Sequence, residues 1–175
     1  MMSKYFLKNK KFLKSNKGFT ITELLIYMGI FSILLVVLTE IFVTILKVQL
    51  ESEATSSVEQ DSRFILARLM YDIQRANTVN LPASLGDQGS VLRFIIGGVT
   101  YTYTINNDNL ELTMNANANK LNSFDTTISN LTFQRLGNPG GINSINVGFT
   151  VTSKAKRASG PEIKNVQTVI GLRPN

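Results

Sequence analysis

From Phe19 to Leu46 the chain reads FTITELLIYMGIFSILLVVLTEIFVTIL, an almost unbroken apolar run whose only charges are Glu23 and Glu40. At ~1.5 Å per residue, the part from Phe19 to Thr39 spans roughly 30 Å as a helix, about one bilayer hydrocarbon core. After Lys47 the sequence turns polar, yet Val58, Ile65, Leu66, Leu69, Ile73 and Ala76 recur near helical spacing and form one apolar stripe. Glu59 with Arg63, and Arg68 with Asp72, are opposite charges at i,i+4, expected on the remaining solvated surface. The pattern predicts one nearly continuous helix from about Thr20 to Ala76, ended by Asn77, Asn80 and Pro82.

From Val91 onward the period changes to two. Val99, Tyr101, Tyr103 and Ile105 alternate with threonines, and Leu110, Leu112 and Met114 repeat the alternation. Gly97-Gly98 and Asn106-Asn107-Asp108-Asn109 are hairpin signals, so three adjacent antiparallel strands are expected. Residues 115–127 read as loop, followed by a strand through Leu131 and Phe133, another through Ile145, Val147, Phe149 and Val151, and a last one through Val166, Ile170 and Leu172. The fold class expected is α+β: the distal half of the helix covers one face of a mostly antiparallel sheet, which would otherwise be left wet.

Composition changes this picture at one place. The formal charge is +6, but six of the eighteen basic residues are lysines among the first 18 positions, where there is no acid; the remaining twelve balance the twelve acidic residues. The high charge therefore describes the leader and gives little support to nucleic-acid binding. The same lysines, against Lys47 alone just beyond the apolar run, place the N-terminus in the cytoplasm and the bulk of the chain outside. Cysteine and histidine are both absent, which removes the thiol nucleophile, the usual general base and most transition-metal ligands. No Ser/Lys or paired-carboxylate spacing stands in for them, so no enzyme, cofactor or metal is expected.

Glu23 needs a reason. A charge at mid-bilayer costs about 2.5 to 3.5 kcal/mol, less towards the interface, and such a charge has a partner as a rule. Cutting the chain between Gly18 and Phe19 would create an α-amino group four residues away. The run Lys17-Gly18-Phe19-Thr20-Ile21-Thr22-Glu23-Leu24-Leu25 resembles the prepilin-peptidase site of type IV pilins and type II secretion pseudopilins: a basic leader ending in Gly, then Phe, then Glu as fifth mature residue, then an apolar helix. The resemblance implies that Gly18 is the last leader residue, that Phe19 becomes the processed and N-methylated terminus, and that Glu23 contacts a neighbouring subunit's terminus during assembly. It covers about the first 50 residues; the remainder agrees in layout, which looks most like minor J-type pseudopilins and related minor pilins. Many major pilins carry proline where this chain has Glu40, whose neighbour at i+4 is Thr44.

The domain division that follows is a leader at 1–18, a transmembrane and assembly helix at 19–46, an amphipathic half at 47–80 and a β-rich domain at 81–175. The function expected is that of a membrane-anchored minor pilin or pseudopilin subunit, with a prepilin peptidase, other pilin subunits and an inner-membrane assembly platform as partners, ending in an extracellular or periplasmic filament. The competing reading is a single-pass protein displaying a β-rich adhesin or ligand-binding domain. Among smaller signals, Lys154, Lys156 and Arg157 read as a solvated basic loop, Tyr101 and Tyr103 as core, Asn106, Asp108 and Asn109 as a turn lacking the acidic calcium-loop pattern, and Asn130-Leu131-Thr132 as a formal glycosylation sequon.

Overall fold

The computed structural model describes residues 18–173; the rest of the leader expected at residues 1–18 and the last two residues lie outside the described part. A single helix, α1, runs Ile21–Gln74. The chain divides into two units, one up to Thr44 and one from Ile45 onward.

Among its described residues, the first unit is helix from Ile21 onward. Its apolar side chains are exposed all round, from Ile21 through Phe42, and the helix is long and apolar enough to cross a membrane by length and composition. The hydroxyls of Ser32, Thr39 and Thr44 donate to the carbonyls of Met28, Leu35 and Glu40, each at 2.8 Å, so these polar groups are satisfied within the helix. Helical structure passes Glu40 without a break.

In the second unit the helix carries Ala54, Val58, Asp61, Ser62, Ile65, Leu69, Asp72 and Ile73 on its buried face, at the three- and four-residue steps of a 3.6 period. Past Gln74 the turn tightens, with Arg75 and Ala76 donating to the carbonyls of Asp72 and Ile73. The strands are β1 (Thr78–Leu81), β2 (Gln88–Gly89), β3 (Leu92–Ile96), β4 (Val99–Asn106), β5 (Asn109–Met114), β6 (Asn117–Lys120), β7 (Thr126–Leu136), β8 (Ser144–Ser153) and β9 (Ile163–Gly171). The β3–β4–β5 meander turns at Gly97-Gly98 and at Asn107-Asp108, all four with positive φ, as the turn chemistry requires.

Three expectations change. The strands form two antiparallel sheets rather than one, in the orders β1-β3-β4-β5-β6 and β2-β7-β8-β9. Alternation marks a strand's buried face but not its neighbour, and here β7 turns away from β6 to pair with β8. Residues 115–127 are not all loop: Asn117–Lys120 is a fully exposed edge strand on β5, and β7 starts at Thr126. An exposed edge needs no apolar period, so the sequence carries no mark of it. Residues 78–81, read as the helix-ending segment, pair with β3.

The core joins Val58, Ile65, Leu69 and Ile73 of α1 to Leu92, Phe94, Tyr103, Leu110 and Leu112 of one sheet and to Ile128, Phe133, Val147, Phe149 and Ile170 of the other. Tyr103 belongs to it and half-buried Tyr101 packs against it, their rings stacked on Phe94 at 6.0 and 5.7 Å respectively. The Arg68–Asp72 pair is not wholly solvated, since Asp72 is 1% exposed and accepts Tyr103 Oη–H at 2.6 Å as well as Arg68 Nε–H at 2.8 Å. The sequence showed the i,i+4 spacing; only the sheet laid across it buries the carboxylate.

A second buried carboxylate fastens the helix to the β6–β7 segment. Asp61 accepts the Ser123 main-chain N–H and hydroxyl, both at 2.8 Å, and the Thr126 hydroxyl. Replacing Asp61 by alanine leaves these donors dry and is expected to cost about 2 kcal/mol. Chemical denaturation of the detergent-solubilised protein, followed by circular dichroism, checks this; unchanged stability would mean that water reaches the donors.

Candidate processing and assembly site

Gly18, Phe19 and Thr20 lead directly into α1. Thr20 caps the helix, its Oγ1 accepting the Glu23 main-chain N–H at 3.2 Å. Glu23 sits in the first helical turn, where the helix dipole favours an anion. Its carboxylate reaches forward rather than back to the cap: Oε1 accepts the Tyr27 hydroxyl proton at 3.1 Å. The rings of Phe19 and Tyr27 meet edge to face, 6.1 Å between centroids. Phe19, Glu23 and Tyr27 thus follow one another at four-residue steps along one helix face, and Phe19 is 76% exposed.

The three residues singled out by sequence, Gly18, Phe19 and Glu23, thus lie close together at the helix start, the first two exposed and Glu23 half-buried. Sequence reasoning missed Tyr27, although its spacing four residues beyond Glu23 was available as a signal. Among the described residues Gly18 has no packing reason to be glycine: a Cβ built there meets nothing within 4 Å. The site offers a half-buried carboxylate and a flanking aromatic pair rather than a cavity. Among the described residues, no group of three or more Asp, Glu, His or Cys is placed to hold a metal ion.

The decisive comparison is with the family model for the prokaryotic N-terminal methylation motif, which matches residues 13–39. This chain carries a prepilin-type methylation motif. The match takes in Gly18, Phe19, Glu23 and Tyr27 and supports the type IV pilin and pseudopilin family. No curated protein and no solved structure matches the chain. The prepilin-type motif and the apolar helix behind it fit a membrane-anchored structural subunit.

The remaining basic and polar candidates lie elsewhere. Lys154 and Lys156 are exposed, and Lys154 Nζ donates to the Phe124 carbonyl at 2.9 Å. Arg157 departs from the solvated loop expected, its side chain being only 7% exposed between Glu51 and Glu162. Two carboxylates close enough to neutralise it explain why it can be buried, and neither is adjacent in sequence. Asn130 sits at a bulge of β7 with positive φ, its amide donating to Thr150 Oγ1 at 3.3 Å.

Proposed function

We propose that the chain is the precursor of a minor pilin or pseudopilin: a prepilin peptidase cuts between Gly18 and Phe19, the new Phe19 amine is methylated, and Glu23 pairs with the amine of a neighbouring subunit as apolar helices pack into a type IV pilus or secretion pseudopilus. The observation that carries this reading is the methylation motif over residues 13–39, set on a helix whose first unit exposes its apolar side chains. Such a surface must be covered by lipid or by other helices. The open space around Gly18 supports recognition from outside the chain, since no neighbour among the described residues asks for glycine there. The lysine-rich leader supports a cytoplasmic N-terminus, with residues 47–175 outside the membrane. The helix followed by hairpins and a C-terminal strand favours a J-type subunit within the family. Other pilin subunits and an assembly platform are the partners this requires.

Intact-mass and N-terminal analysis of the protein from native membranes tests the proposal. The expected result is loss of residues 1–18 and a Phe19 terminus bearing one methyl group, and Gly18→Glu is expected to leave the full precursor. An uncut wild-type chain would sink the processing step and favour a single-pass protein displaying a β-rich binding domain.

A further inference from the structure

The second unit is attached to its helix in two different ways. From Ala54 onward, buried apolar side chains sink the helix into the core. From Ile45 to Glu53 every residue is exposed, Val48 and Leu50 included, so apolar burial holds none of this stretch. What reaches it is the segment between β8 and β9. Arg157 donates from Nη1 to Glu51 at 2.9 Å, from Nη2 to Glu162 at 3.0 Å and from Nε to the Gly160 carbonyl at 2.9 Å. The Ser159 hydroxyl lies 3.4 Å from both carboxylate oxygens of Glu51. Beside these contacts, Lys47, Leu50 and Glu51 face Arg157, Ala158 and Ser159 across a small cavity of about 210 Å³. The two sides are joined by charge and hydrogen bonds next to an unfilled space, not by close packing.

We infer that residues 154–162 form a releasable strap over the helix ahead of Ala54, with the Glu51–Arg157 ion pair as its fastening. The partners are unequal, which is what makes release possible. Arg157 keeps Glu162 and the Gly160 carbonyl when Glu51 leaves, so no bare charge remains in the buried position. The Glu51 side chain is already 55% exposed and passes into water at little cost. Closed, the strap carries the helix-to-sheet attachment past the last core contact at Ala54. Open, it frees residues 45–53 to bend while the core from Val58 to Ile73 stays intact. The strap gives the β-rich unit a hinge that does not require unfolding, whatever filament or membrane the helix serves.

Hydrogen exchange on the full-length protein in detergent micelles, read by mass spectrometry, tests the strap. Glu51→Gln is expected to speed amide exchange in residues 47–53 by about tenfold, with exchange in residues 58–73 unchanged. Glu162→Gln removes the same charge from the same cluster but spares the fastening, and is expected to leave residues 47–53 as in the parent. Unchanged exchange at 47–53 in Glu51→Gln would overturn the proposal. So would an equal rise over 58–73, or an equal effect of Glu162→Gln.

Discussion

Asp72→Ala is expected to destabilise the β-rich unit by about 4 kcal/mol, the scale for breaking a buried charged pair. One carboxylate oxygen of Asp72, Oδ2, accepts from two donors, Arg68 Nε–H from its own helix and Tyr103 Oη–H from β4, and Asp72 is itself almost wholly buried. Its removal strands a phenol hydroxyl in the core and leaves Arg68 without its partner. Tyr103→Phe is gentler, about 1 kcal/mol, because it deletes one hydrogen bond and keeps the ring stacked on Phe94. Denaturant titration of the detergent-solubilised protein separates the two. Losses of similar size would mean that Arg68 contributes nothing to the network.

The same tyrosine sets an alkaline limit. Burial first, and then the adjacent Asp72 carboxylate, push its phenol up from the ordinary value of 10.0. Below about pH 10 the phenol is protonated in folded and unfolded chains alike, and its contribution is intact. Above that the unfolded chain releases a proton that the folded one keeps, so stability falls by roughly 1.4 kcal/mol per pH unit from this group. Tyr103→Phe is expected to flatten that fall while leaving the neutral-pH slope unchanged.

On the assembly reading, Glu23→Ala lowers incorporation into filaments by on the order of a hundredfold, the cost of leaving one member of a desolvated ion pair alone. Membrane insertion and removal of residues 1–18 are expected to continue, because the apolar run and Gly18-Phe19 are untouched. Tyr27→Phe, which deletes the donor to Glu23 Oε1 but keeps the carboxylate, is expected to act weakly. Comparison of the sheared filament fraction with the membrane fraction measures both. Normal incorporation of Glu23→Ala would remove Glu23 from the mechanism and leave apolar packing as the sole drive.

Much of this protein was legible without coordinates because its strongest signals are local. The apolar run, the step-of-three-and-four stripe from Val58 to Ala76 and the alternation through Tyr101, Tyr103 and Ile105 each report a period that the backbone itself enforces. The methylation motif, which takes in Gly18, Phe19 and Glu23, was legible for a related reason: its residues stand at fixed spacing along the sequence.

What the sequence left open depends on which elements meet. Two sheets replace one because β7 chooses β8 over β6, and edge strands such as Asn117–Lys120 need no apolar pattern to form. Arg68 and Asp72 could be paired from their spacing, but their burial could not, since the tyrosine that covers the carboxylate lies 31 residues away. Arg157 read as part of a solvated basic loop, and no local pattern marked Asp61 or Glu51, until the fold set hydroxyls or opposite charges around them. The sequence by itself determined the apolar run, the methylation motif and a long helix followed by the apolar-patterned strands, because short-range geometry suffices for each. The tertiary structure alone decided which charges are buried and where the helix is strapped, because burial is a property of long-range contacts that no local period encodes.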